Sequence, residues 1–212
     1  MADIMDMLTG ITRLVKTTTL NHQEATSVVL QLEVPAPVHD VWAACTEADS
    51  IQKWFLPISG DLGIGGRYAL EGNASGEVLD CNAGRSFRVS WVMGQGPDSE
   101  LLFTVTPTNV DHSLVELAHT STVDPEMMAN YGPGSVGVGW DGALLGLQHY
   151  LRGIPTGPQH RPAPEIMNPF MAASSEAWAD AAIANGANPG DARAAARRTT
   201  AFYTGRDGQG AS

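Results

Sequence analysis

Gly132–Leu151, GPGSVGVGWDGALLGLQHYL, is the stretch whose reading decides the fold. Val136, Trp140, Ala143, Leu144, Leu147 and Leu151 recur at helical spacing, so they share one face of an α-helix. Gly134, Gly137, Gly139, Gly142 and Gly146 lie in the same segment. Each glycine in a helix interior costs roughly 0.5–1 kcal/mol relative to alanine. A helix carrying so many must be held by packing, and the spacing predicts one lying close against a sheet. Pro133 and the glycines around it read as a tight start, with Asp141 in the early turns suiting the helix dipole.

The segments upstream supply the sheet. Val28, Leu30, Leu32 and Val34 alternate with polar residues over Ser27–Val34, a half-buried strand that Pro35 and Pro37 end. Val38, Val41, Trp42 and Cys45 then form a helical stripe, and a second short helix covers Ala48–Trp54. After a glycine-rich segment at Gly60–Leu70 come four strand-like runs: Gly76–Cys81, Ser86–Met93, Glu100–Thr106 and Ser113–Thr120. Tight links between them predict an antiparallel meander. Residues 1–26 are expected to form a short helix or a loose arm. Residues 153–169 hold five prolines and read as an extended linker. An alanine-rich helix over 171–185 and a second from Asn188–Pro189 to Tyr203 follow, a pair too poor in large apolar residues to fold alone. The expected organisation is an arm (1–26), a main domain (27–152), a linker (153–169) and a helical pair (170–205). The pair packs on the main domain or on a second subunit in a homodimer.

Composition narrows the function classes. The formal net charge is −11, which disfavours nucleic acid and anionic membrane surfaces as partners. No apolar run is long enough to span a bilayer, and Met1–Lys16 lacks the pattern of a secretory signal. Cys45 and Cys81 are too few and too far apart for a disulfide scaffold or a zinc site. A cytoplasmic protein is therefore expected.

The ordered motifs resemble a known family. Val34-Pro35-Ala36-Pro37 with Val41-Trp42 comes first, then Lys53-Trp54-Phe55, Gly65-Gly66-Arg67-Tyr68 and Gly76-Glu77-Val78. Val89-Ser90-Trp91, Val115-Glu116-Leu117-Ala118-His119, and Gly139-Trp140 with Leu144 and Leu147 complete the set. Over residues 27–151 this is similar to the SRPBCC (START-like, Bet v 1-like) superfamily, in the branch named after the C-terminal domain of the activator of Hsp90 ATPase. The resemblance implies an α+β helix-grip fold, a curved antiparallel sheet wrapped around a long C-terminal helix, here with a C-terminal helical extension. It also implies a cavity for small, largely apolar molecules. The extension looks like one found in a bacterial subgroup. The chaperone-activating protein of that branch carries an additional N-terminal domain, for which there is no space before residue 27.

Strand parity assigns the cavity walls. Val115, Leu117 and His119 share the inner face of one strand; Phe103 and Trp91 lie on the inner faces of its neighbours. Trp140 and Leu144 oppose them from the long helix, and Trp54 and Phe55 sit near one mouth. These nine residues are the expected ligand-binding set, with no catalytic set, no metal and no cofactor. His119 is either a hydrogen-bonding or acid–base residue for a ligand, or a structural histidine. His112 lies an odd number of positions away, on the opposite face, so the two cannot share a metal. Gly132–Gly137 fits G-x-G-x-x-G, but Asp124–Tyr131 before it is not strand-like, which excludes a dinucleotide site. A small hydrophobic-ligand binder is the leading reading. A cyclase- or hydrolase-like enzyme on an aromatic or polyketide-like substrate, and a stress- or chaperone-related interaction module, are the alternatives.

Overall fold

The computed structural model describes residues 2–206. Eight antiparallel strands form one sheet: β1 (Thr12–Leu20), β2 (Gln23–Val34), β3 (Ile58–Gly60), β4 (Arg67–Leu70), β5 (Ser75–Asn82), β6 (Ser86–Ser90), β7 (Ser99–Pro107) and β8 (Ser113–Thr122). Their order across the sheet is β1-β2-β8-β7-β6-β5-β4-β3, so the expected meander is present from β3 to β8, and β2 closes onto β8. The β5–β6 register shifts between Val78 and Asp80, a bulge that helps the sheet curve. Alternation places Val115, Leu117 and His119 on the buried side of β8.

Seven α-helices accompany the sheet among the described residues: α1 (Ala2–Thr9), α2 (Val38–Thr46), α3 (Ala48–Trp54), α4 (Pro125–Tyr131), α5 (Gly134–Leu151), α6 (Pro164–Ala184) and α7 (Pro189–Tyr203). The long helix α5 lies across the concave side of the sheet, and its Leu144 and Leu147 join Leu30, Val105 and Val115 in one fully buried core. This is the helix-grip arrangement. The segment ahead of α5 is helix α4, capped by the Asp124 side chain on Glu126 N and Met127 N, so the glycine pattern at 132–137 follows no strand.

Two expected segments differ. The arm over residues 1–26 holds the short helix α1, but residues 12–20 form an edge strand paired along its own whole length with residues 23–31 of β2. The hairpin turns at Asn21 and His22, both with positive φ, as a two-residue turn between twisted strands requires. The linker over 153–169 is only partly extended: α6 begins at Pro164 and runs through Pro169. Pro164 occupies the first turn, where its missing N–H is no loss.

The glycines of α5 accommodate helices rather than the sheet. A Cβ on Gly137 would come within 2.1 Å of the Trp178 ring of α6, and one on Gly146 within 2.7 Å of the Trp54 carbonyl of α3. Gly134 and Gly139 abut Thr199 and Tyr203 of α7. Helix α5 is thus buried on both sides, and the helical pair packs on the main domain. Gly137→Ala is expected to lower the unfolding free energy by about 1–3 kcal/mol through overpacking. Gly142→Ala, where a new Cβ meets nothing within 4 Å, should be neutral or stabilising by up to about 1 kcal/mol. Urea titrations of the two variants side by side check this; equal effects would refute it.

Asp141 departs from its expected role. It is fully buried rather than stabilising a helix dipole. Arg13 Nε donates to its two carboxylate oxygens at 3.1 and 3.0 Å, Trp178 Nε1 donates at 3.0 Å, and the Ser174 hydroxyl donates to it as well. One carboxylate thereby joins β1, α5 and α6.

Candidate functional site

Between the sheet and α5 lies an apolar cavity of about 270 Å³. The inner faces of β6, β7 and β8 contribute Val89, Leu101, Phe103 and Leu117, and α5 contributes Ala143, Leu144 and Leu147. Helices α2 and α3 close one end with Trp42, Ile51 and Trp54. None of the lining side chains is an acid, a lysine or an arginine. The polar atoms around it are largely satisfied: Trp54 Nε1 donates to the Ala44 carbonyl at 2.9 Å, and the Tyr68 hydroxyl donates to the Ser90 carbonyl at 2.8 Å. Burial pushes the Tyr68 hydroxyl and the Cys45 thiol up, so both stay protonated near neutral pH.

Three rings next to Trp54, which stacks on Phe55 at 5.5 Å, form a wall of this cavity. Trp91 and Trp140 have centroids 4.9 Å apart, and Phe55 lies 6.4 Å from Trp91 and 6.2 Å from Trp140. Beyond them is a second compartment of about 500 Å³, and the three wall residues line both spaces. Its other walls are the end of β8, the segment between β6 and β7, helix α4, the first turns of α5 and the end of α7. Helix α7 also braces α4. Arg198 donates to the Ala129 and Asn130 carbonyls, and the Thr199 hydroxyl donates to the Tyr131 carbonyl, so the otherwise unpaired C-terminal carbonyls of α4 are satisfied.

His119 borders this second compartment and is 6% exposed. Trp140 Nε1 donates to its Nδ1 at 2.9 Å. Burial lowers the pKa of the ring from 6.5 to about 4, so the imidazole is neutral at pH 7. An indole N–H can only donate, so Nδ1 must carry the lone pair and Nε2 the proton. With its one acceptor nitrogen occupied, the ring offers a donor and not a base. No protein group among the described residues bonds Nε2.

Of the nine expected ligand-binding residues, Trp54, Phe55, Trp91, Phe103, Leu117, Trp140 and Leu144 line the smaller cavity. His119 is inward, as parity requires, but on the far side of the wall. Val115 borders neither space: it is completely buried beside its strand neighbours Leu32 and Val105. Sequence reasoning missed Tyr68, although it lies on the buried phase of an alternating strand. It also missed Met127, Met128, Tyr131 and Phe202 in the second compartment, which carry no local signal of a cavity. Glu71, Asp80 and Arg67 are exposed. No group of three His, Cys, Asp or Glu side chains among the described residues is placed to hold a metal. No helix among them is long and apolar enough to cross a membrane.

Comparison with known proteins gives three findings about this arrangement. The family model described as "Activator of Hsp90 ATPase homolog 1-like protein" matches residues 35–152. The crystal structure of CalU16 from Micromonospora echinospora is similar at 37% identity, covering 81% of this chain and 97% of that one, with a TM-score of 0.68. That share of the chain exceeds the family-model region, so the likeness extends into the flanking segments. Two more distant structures share the fold. DynU16, from the dynemicin biosynthetic locus, is 23% identical over 64% of this chain and 51% of its own, with a TM-score of 0.55. A norcoclaurine synthase from Thalictrum is 17% identical over 66% and 98%, with a TM-score of 0.50. None of the curated proteins compared matches the chain.

Proposed function

The chain belongs to the activator of Hsp90 ATPase homolog 1-like family of the SRPBCC superfamily, and on that premise we propose that it binds a small, uncharged, largely apolar molecule in the cavity between the sheet and α5. The observation that carries this reading is the cavity of about 270 Å³ itself, lined by aromatic and aliphatic side chains with no acid, lysine or arginine among them. Apolar clefts with few polar groups are the usual form of small-molecule sites. Trp54, Phe55, Trp91, Phe103, Leu117, Trp140 and Leu144 are the proposed contacts. Their flat rings suit a planar aromatic body of about two fused rings. The free thiols of Cys45 and Cys81 suit a reducing cytoplasmic setting.

The neutral hydrocarbon 2-isopropenylnaphthalene is a suitable probe. Titration should shift the indole N–H signals of Trp54 and Trp140 saturably. Ala143→Phe, which places a ring in the cavity, should weaken binding at least about tenfold, the equivalent of about 1.4 kcal/mol. Unsaturable or undetectable binding by the wild-type protein would remove the proposal.

A further inference from the structure

We propose that the compartment beyond the aromatic wall is the polar half of the ligand site, where His119 Nε2–H donates a hydrogen bond to the carbonyl oxygen of a neutral aromatic ketone or quinone. The inference rests on the ligand-binding reading above and names the chemistry of the ligand.

The first support is the state of His119. The bond from Trp140 occupies Nδ1, so the proton of the neutral ring is on Nε2. That N–H is buried and has no protein acceptor. Buried polar groups almost always have partners, and an exception calls for a reason. An acceptor carried in by a ligand supplies one. Two other donors that line the compartment are committed: the Tyr203 hydroxyl donates to the Ser135 carbonyl at 2.9 Å and the Thr199 hydroxyl to the Tyr131 carbonyl at 2.8 Å.

The second support is charge. No lysine or arginine lines the compartment, and its one carboxylate, Asp124, already caps α4. An anionic ligand such as a fatty acid or a phosphate ester would enter without a counter-ion, whereas a neutral carbonyl needs only the donor. The low pKa of His119 agrees, because the ring carries no positive charge at neutral pH.

The third support is construction. Met127, Met128 and Tyr131 of α4 and Phe202 of α7 give the compartment an apolar, adaptable wall. Helix α7 thereby acquires a role: it completes the compartment and holds α4 in place. A ligand ring against Trp91 and Trp140 would bring a carbonyl on its edge to the His119 side of the wall.

The test compares 2-acetylnaphthalene with 2-isopropenylnaphthalene, which differ by an oxygen in place of a methylene at nearly constant shape. The wild-type protein should bind the ketone about tenfold more tightly, in line with one recovered hydrogen bond. In ¹⁵N-edited spectra His119 should show the Nε2–H tautomer, and that signal should move with the ketone but not with the hydrocarbon. His119→Phe should lower ketone affinity to the hydrocarbon level. Val136→Trp, which fills the compartment from α5 and leaves the His119–Trp140 bond in place, should do the same. Equal wild-type affinities for the two probes, or an unmoved Nε2–H at saturating ketone, would overturn the inference. If hydrocarbon binding persists and Ala143→Phe abolishes it, the ligand-binding reading stands while this one falls; if neither probe binds, both fall.

Discussion

Asp141→Ala is expected to lower the unfolding free energy by about 3–5 kcal/mol, since breaking a buried ion pair leaves its partner uncompensated. The Arg13 side chain is 7% exposed and Asp141 is completely buried. Burial raises the Asp141 pKa, and the charge and hydrogen bond of Arg13 and the donors on Ser174 and Trp178 oppose that rise. Arg13 also donates to the Ile11 and Leu8 carbonyls, so the guanidinium is anchored where water cannot replace the lost carboxylate. The double variant Arg13→Met with Asp141→Leu should recover part of the loss, because an apolar pair of similar volume removes both desolvation penalties. It should not recover all of it, since the Ser174 and Trp178 donors stay unpaired at a cost of about 1–3 kcal/mol each. Urea unfolding at pH 7 measures these differences. Hydrogen exchange should show α6 losing protection first, because two of the three side chains bonded to the carboxylate, Ser174 and Trp178, come from it. A loss below about 1 kcal/mol for the single variant would show that the pair is no clamp.

Acidification should destabilise the protein through His119. Its folded pKa of about 4 lies below the ordinary 6.5. Between those values the unfolded chain binds more protons than the folded one, so stability rises with pH there and is lost as pH falls from about 6.5 towards 4. A shift of this size corresponds to about 3 kcal/mol. Protonation also turns Nδ1 into a donor facing the Trp140 N–H, so the bond between them breaks. His119→Gln can still accept from Trp140 but cannot titrate. The stability of the wild type relative to this variant should therefore fall by about 3 kcal/mol between pH 7 and pH 4. Parallel pH profiles would mean that His119 titrates normally.

How far the sequence could be read depends on the range of the interaction concerned. The stripe Val136, Trp140, Ala143, Leu144, Leu147 lines the cavities from α5 as the spacing predicts, and β8 buries alternate residues as parity predicts. Edge strand β1 was not legible because most of its residues are exposed, so its apolar alternation is weak, and because its turn is Asn21-His22 and not a glycine pair. Pro169 reads as a linker residue, yet α6 contains it, since packing of Phe170 and Trp178 outweighs one lost backbone bond.

The glycines of α5 show the division most clearly. Their presence in a helix already implied close packing, from propensity alone. That the close neighbours are Trp178 and the Trp54 carbonyl, and not the sheet, depends on chain segments far away in sequence. The same holds for Asp141, whose partner Arg13 is 128 positions distant, and for His119, which parity turns inward but which Trp140 and Phe55 assign to the second compartment. Periodicity settles which face of an element is buried, because it is a property of neighbouring residues. Which groups meet across that face depends on how the elements are folded together, and local sequence carries no record of it.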